Sequence, residues 1–197
     1  DLLKTPIYSV ELLLPENIGG KNPRINAFKG DPNVQAQARA MPEDYTGSGL
    51  DKGHMAPVED MRSDSAAMMQ SFYMSNMVPQ NPSLNRGVWR SLESHVRKLA
   101  FKNSGVHVIT GTIFATRPIT TIGNGVGVPT HTYKVVIDKQ SGEGIGYIIP
   151  NANTKGQTFK QYAVPIIEVE RVTGVNFTPS LNSNQDGFKK VIGPGLQ

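Results

Sequence analysis

Two hydrophobic periods divide this chain. Between residues 88 and 102, Trp89, Leu92, Val96 and Leu99 recur at spacings of three and four, which puts them on one face of an α-helix. Arg97 and Lys98 fall late in that stretch and Asn103-Ser104-Gly105 ends it, as cations and a glycine do at a helix C-terminus. Beyond Gly105 the period changes. Residues 106–111, 133–138 and 146–150 are β-branched runs separated by turn residues, with Ser141-Gly142 at one connection, and they read as strands. Residues 7–14 form another strand-like run, closed by Pro15 and Gly19-Gly20, that is expected to pair at the edge of a sheet.

Shorter signals fill in the rest. Ser63-Asp64-Ser65 offers an N-cap to a short helix through Ala66, Met68 and Met69 toward Phe72, with Asp64 near its positive end. Residues 166–172, followed by Thr173-Gly174, predict another short helix with a glycine stop. Met68, Met69 and Trp89 read as core. Residues 21–50 carry Asn, Asp, Pro and Gly at short intervals with little periodicity, so they read as an irregular segment over the surface. A loop that long in a compact domain is usually functional. The tail from Leu181 is polar and Gly-rich and reads as loose. With no internal repeat or linker, residues 1–197 are expected to form a single domain of the α+β class with a mixed, largely antiparallel sheet core.

Composition narrows the partners. No apolar run approaches the roughly 20 residues that span a bilayer, so no membrane role is expected. The absence of cysteine removes disulfides and thiolate metal sites. Twenty Lys and Arg against sixteen Asp and Glu give a net charge of +4 and a pI near 9.3, a balance that favours a polyanion. The first residues, Asp1-Leu2-Leu3-Lys4-Thr5-Pro6, show no initiator Met and no basic-then-apolar leader, so the chain reads as a trimmed product. A secreted or periplasmic location is expected ahead of the cytoplasm.

The chemistry concentrates between Asp51 and Glu93. Asp51-Lys52-Gly53-His54-Met55-Ala56-Pro57 sets a histidine in a tight turn bounded by Gly and Pro. Gly53 there removes a Cβ that would crowd a close backbone approach or a positive-φ turn. Histidine is the natural base near neutral pH, and activity should rise with pH through its titration. Asn85 lies 31 residues on, in Leu84-Asn85-Arg86-Gly87-Val88-Trp89-Arg90-Ser91-Leu92-Glu93, and is a hard oxygen ligand of the kind Mg²⁺ accepts with few protein partners. On a straight helix reaching back to Asn85, Glu93 would sit about 80° round and about 12 Å along. Short bonds from both to one ion are then excluded, so either Asn85 lies in a loop before the helix or Glu93 acts through water. A base, positive charge and support for the leaving oxygen are what phosphodiester hydrolysis requires.

These motifs, together with Ser75-Asn76-Met77-Val78-Pro79-Gln80 between them, resemble the successive blocks of the DNA/RNA non-specific endonuclease family of the His-Me finger (ββα-metal) superfamily. The resemblance extends to Pro23-Arg24, Tyr45-Thr46-Gly47-Ser48-Gly49 and Glu168-Val169-Glu170-Arg171-Val172-Thr173-Gly174. It implies a ββα-metal active-site motif, with His54 as general base and Asn85 as the one direct protein ligand to Mg²⁺, for which Mn²⁺ can substitute. It also implies that Glu93 holds water on the metal, that Asn76 supports the catalytic geometry and that Arg24 contacts the phosphate, with Arg39 its rival. The family's first motif usually reads Asp-Arg-Gly-His. Here Lys52 follows Asp51, which keeps the charge and loses the bidentate fork.

The expected reaction is hydrolysis of DNA and RNA to 5′-phosphate and 3′-hydroxyl ends, with weak sequence preference because phosphate contacts read no base. Arg86, Arg90, Arg97 and Lys98 form either a basic rim or a solvated helix face. His95, His107 and His131 receive no catalytic role. Two other readings stand beside this one: a nucleic-acid-binding module that has lost catalysis, and a toxin or effector nuclease controlled by an immunity protein. A protein inhibitor is therefore a candidate partner, and the oligomeric state is open, a homodimer included.

Overall fold

The computed structural model describes residues 3–177, so the polar tail from Leu181 lies outside the described residues. In chain order the strands are β1 (Tyr8–Leu13), β2 (Asp51–His54), β3 (Met77–Gln80), β4 (Val106–Ile113), β5 (Thr121–Ile122), β6 (Val126–Gly127), β7 (His131–Asp138), β8 (Gly144–Pro150) and β9 (Ala163–Val164). The α-helices are α1 (Ser65–Gln70), α2 (Arg90–Lys102) and α3 (Ile166–Thr173). A π-helical turn, Leu84–Trp89, runs directly into α2.

The main sheet is antiparallel throughout, in the order β1-β4-β7-β8-β9, as the strand-rich second half predicted. β1 is an edge strand, as expected. The β7–β8 turn is held by Asp138, whose Oδ1 accepts from the backbone N–H groups of Gln140 and Ser141. Central β7 is buried along almost its whole length, because it has a neighbour on each side and a helix over each face.

Helix α2 and the π turn before it cover one face. Trp89, Leu92, Val96, Leu99 and Ala100 pack there against Val106, Val108, Val136, Ile145 and Ile149, the apolar stripe that the spacing of three and four predicted. Each fully buried aliphatic side chain contributes on the order of 1.5–3 kcal/mol. On the opposite face Val169 of α3 meets Ile109, Tyr133, Val135 and Ile137. Gly174 ends α3 in the left-handed region at φ 71° and donates to the Glu170 carbonyl, as the glycine stop foretold. Asp64 caps α1 by accepting from the Ala66 and Ala67 N–H groups.

Two readings change. Met69 is 44% exposed, whereas Met68 and Trp89 are core: α1 is so short that only one side of it meets the body of the protein. Residues 21–50 are irregular, with 3₁₀ turns at Ala36–Ala38 and Pro42–Tyr45. Yet they do more than lie over the surface, since Ala40 and Tyr45 are buried with Met74 and Met77, and Phe28 packs against them.

Candidate active site

His54 does not sit in a turn. It ends β2, which pairs with β3 in the register Asp51↔Gln80, Lys52↔Pro79, Gly53↔Val78 and His54↔Met77, and Met55 N–H continues the pairing to the Asn76 carbonyl. This hairpin, the π turn and α2 together make a ββα unit. Gly53 is needed for a close approach and not for a positive φ: a Cβ there would fall 2.0 Å from Gln80 Oε1, and Gln80 is fully buried. Gly53→Ala should therefore destabilise the protein by about 1–3 kcal/mol, read as a lowered urea midpoint at unchanged slope; an unchanged midpoint would show that Gln80 moves aside freely.

Alternation along β2 sends its side chains two ways. Lys52 and His54 face an aromatic wall. The His54 ring lies 5.2 Å from Phe72, edge to face, and 5.8 Å from Phe28, and the two phenyl rings touch at 5.1 Å. The Lys52 ammonium lies 5.4 Å from the Phe28 ring and 5.5 Å from that of Tyr45, and the Arg24 guanidinium 5.7 Å from Phe72. Burial among these rings pushes the His54 imidazole down to about 4, and the nearby Arg24 charge adds to the shift. His54 Nε2 is sealed in without a hydrogen-bond partner.

Asp51 turns the other way, to the π turn. Its Oδ2 accepts from Asn85 Nδ2 at 2.9 Å and from Arg86 Nε at 2.8 Å, and its Oδ1 accepts from Arg86 Nη2. Partial burial would raise this carboxyl, but the Arg86 and Asn85 hydrogen bonds outweigh it and hold it below the usual carboxylate range. A carboxylate only accepts, so the Asn85 amide is fixed with its nitrogen on Asp51 and its Oδ1 free. Asn85 lies in the π-helical turn that runs directly into the helix carrying Glu93. A turn closed i→i+5 holds more residues than an α-turn and advances less per residue, which swings Asn85 back toward the face that carries Glu93. Of the two alternatives, Asn85 in a loop before the helix is excluded.

Arg24, Asp51, Lys52, His54, Asn85 and Glu93 all line one cleft of about 600 Å³, whose rim includes Arg86, Arg90 and Arg97. Of the four residues expected as a basic rim only Lys98 is absent from it. Among the described residues no group of three His, Cys, Asp or Glu side chains is arranged to hold a metal ion. Glu93 is raised to about 7, chiefly by burial; Lys134 opposes the shift and Asp60 adds to it.

Beneath Glu93 lies a buried charged layer that sequence reading missed. Lys134, 1% exposed, donates to Thr110 Oγ1 and sits 5.1 Å from the Trp89 ring. Asp60 accepts from Arg97 at 3.0 Å, one turn beyond Glu93. Phe28 and Phe72 were missed as the walls around His54. Phe72 could have been suspected from its place just after α1, but Phe28, inside the irregular segment, carried no periodic signal.

Asn76 lies outside the cleft lining. Its Oδ1 accepts from Ala56 N–H, and its Nδ2 donates to the Ala56 and Ser71 carbonyls, so it clasps the backbone that leaves His54. Arg39, the rival of Arg24, is committed elsewhere, donating to the Val34 and Pro32 carbonyls. His95 stacks on Phe159 at 4.9 Å, and His95, His107 and His131 are all outside the cleft.

The profile for DNA/RNA non-specific endonucleases matches residues 1–184. The chain belongs to that family. Mitochondrial Endonuclease G of Homo sapiens is 36% identical over 200 residues, covering 94% of this chain and 67% of the relative. Mitochondrial Nuclease 1 of Schizosaccharomyces pombe is 33% identical over 193 residues, covering 87% and 60%. A crystal structure of the EndoG/EndoGI complex, concerned with the mechanism of EndoG inhibition, matches with a TM-score of 0.82 at 31% identity, covering 90% of this chain and 80% of that one.

The protein is thus a non-specific nuclease, a hydrolase of phosphodiester bonds with nucleic acid as its substrate class, in a family of enzymes that use a divalent metal, and its fold is the ββα-metal nuclease fold. The expected secreted or periplasmic location is overturned, because the relatives Endonuclease G, EXOG and Nuclease 1 are named as mitochondrial.

Proposed function

We propose that this chain, as a single domain over residues 1–197, is a Mg²⁺-dependent endonuclease that cleaves DNA and RNA to 5′-phosphate and 3′-hydroxyl ends, with Mn²⁺ able to replace Mg²⁺. The observation that carries this reading is the Asp51–Asn85 hydrogen bond, which leaves Asn85 Oδ1 as a hard ligand in the same cleft as a neutral imidazole. The donor set fits Mg²⁺, which keeps several waters and takes few protein oxygens: Asn85 would hold it directly and Glu93 through an intervening water. When bound, the ion supplies positive charge to the non-bridging and leaving oxygens of the phosphate.

The chain's own residues do the rest. His54, with Nε2 buried, takes the proton of the attacking water at Nδ1. Arg24 and Lys52, held against aromatic faces, present their charges to the phosphate. Asp51 orients Asn85, and Asn76 fixes the chain that follows His54. A binding module without catalysis is disfavoured because base and ligand share one cleft. The inhibitor complex formed by the structural relative supports a protein inhibitor as a partner here also, and the relatives' names support a mitochondrial location.

The test is digestion of plasmid DNA and of RNA by the purified protein. Both should be degraded with Mg²⁺ and stay intact with chelator, and end-labelling should find 5′-phosphates. Intact substrates after long incubation with Mg²⁺ or Mn²⁺ would remove the catalytic reading.

A further inference from the structure

We propose that a second cavity, across the Leu84–Trp89 turn from the cleft, is a subsite for the single-stranded nucleotides that flank the scissile phosphate. The proposal rests on the nuclease reading and extends its substrate path. The cavity has a volume of about 650 Å³, within the roughly 300–1,000 Å³ of pockets that seat small-molecule ligands, so a nucleotide unit fits. Arg86 lines it as well as the first cleft, which makes the two continuous over one residue.

Charge and surface fit the occupant. Lys155 and Lys160 line the cavity beside Arg86, whose charge is shared with Asp51, and no carboxylate lines it; a concave site of one sign concentrates a polyanion. Phe159, half-buried, adds aromatic surface between the cations. A positive groove with apolar and aromatic surface is how proteins hold single strands, whose unpaired bases need a dry face as well as counter-charge. A duplex, with its bases already stacked, gains only from the cations.

The outer wall is fixed relative to the catalytic segment. Asn151 donates to the Pro79 and Pro129 carbonyls and accepts from Asn81 N–H, and Thr154 N–H donates to Ser83 Oγ at 2.9 Å. The loop that carries Lys155 is therefore tied to the residues leading into Asn85, and the two cavities keep their spacing. Gly87 lines the second cavity on the turn that leads into α2. Nothing lies within 4 Å of a Cβ built there, so packing does not call for glycine, although glycine in a helical turn costs about 1 kcal/mol. A bare backbone at that point keeps the turn low enough for a strand to cross.

The test uses the His54→Ala protein, so that binding is read without cleavage, and a fluorescent oligothymidylate followed by polarisation. Lys155→Glu/Lys160→Glu should weaken binding by on the order of tenfold or more and reduce the log–log salt slope by about 1.4, at roughly 0.7 per lost contact on a single strand. A control with the same charge change at exposed lysines away from the cavity, Lys102→Glu/Lys139→Glu, should keep affinity within about twofold on the same electrostatic argument. Gly87→Leu should also weaken binding. A duplex of equal length should lose less than the single strand.

Equal losses in the control, or unchanged affinity and slope in the cavity variant, would overturn the subsite. Equal losses for duplex and single strand would overturn its assignment to unpaired nucleotides. Should the unmutated chain bind in this way and yet cleave nothing, the nuclease reading fails while the subsite stands.

Discussion

His54→Ala should lower turnover of plasmid and RNA by about 10²–10⁴-fold, the range for a lost general base, while nucleic acid still binds. Binding survives because Arg24, Lys52, Arg86 and Arg90 remain around the cleft; turnover does not, because no second histidine lines it. The expectation that activity rises with pH through the histidine's titration needs a shifted window. With its imidazole held at about 4 by burial, His54 is neutral and competent across pH 5–9, so it contributes no rise there. Its resonances should show no titration above pH 5 by NMR, and a midpoint near 6.5 would mean that the aromatic enclosure is open in solution. The sign for stability follows. The unfolded chain binds this proton more readily, so stability is fully present above about 6.5 and is lost as pH falls toward 4, by up to about 3 kcal/mol at 1.36 kcal/mol per unit. Relative to the unmutated protein, His54→Ala should flatten the acid limb of a urea-midpoint profile.

Much of this was legible in the chain because it rests on local chemistry. The period of Trp89, Leu92, Val96 and Leu99 depends only on one helix and one apolar face, and Gly174 and Asp64 act within a turn of their own positions. The motif residues of the cleft were named for the same reason, since each block is contiguous in sequence. What escaped depends on distant partners. Placing His54 on a strand required knowing that residues 77–80 pair beside it. The enclosure by Phe28 and Phe72 joins an irregular segment to the end of α1 across 44 positions, and Lys134 reads in sequence as a solvated lysine on an alternating strand, although it is buried beneath Trp89. The π turn shows the same limit: its wider closure has no residue signature in Leu84–Trp89, yet it sets how Asn85 is placed relative to α2.

That turn sets the last expectation. Asn85→Ala removes the amide oxygen proposed to bind the cation directly, and should lower activity by more than about 10³-fold, as expected when several kcal/mol of charge stabilisation are lost. Added metal should not restore it. Asp51→Ala should behave differently, because it removes no ligand. Asn85 Nδ2 loses its acceptor and Arg86 loses both of its hydrogen bonds, so the amide is free to rotate and the hard oxygen faces the ion only part of the time. Loss of such a supporting contact typically costs 10–100-fold in metal affinity or activity. Asp51→Ala should therefore need more Mg²⁺ for half-maximal activity and recover much of its turnover at saturating metal, and calorimetric titration should find the same weakening without substrate. Asp51→Asn tests the orientation itself, because its Oδ1 can still accept from Asn85 but cannot also take both Arg86 donors with the strength of a carboxylate; it should fall between the alanine variant and the unmutated protein. If Asp51→Ala instead loses turnover at every metal concentration with calorimetric affinity unchanged, Asp51 acts on the phosphate or the base, and the orienting role is wrong.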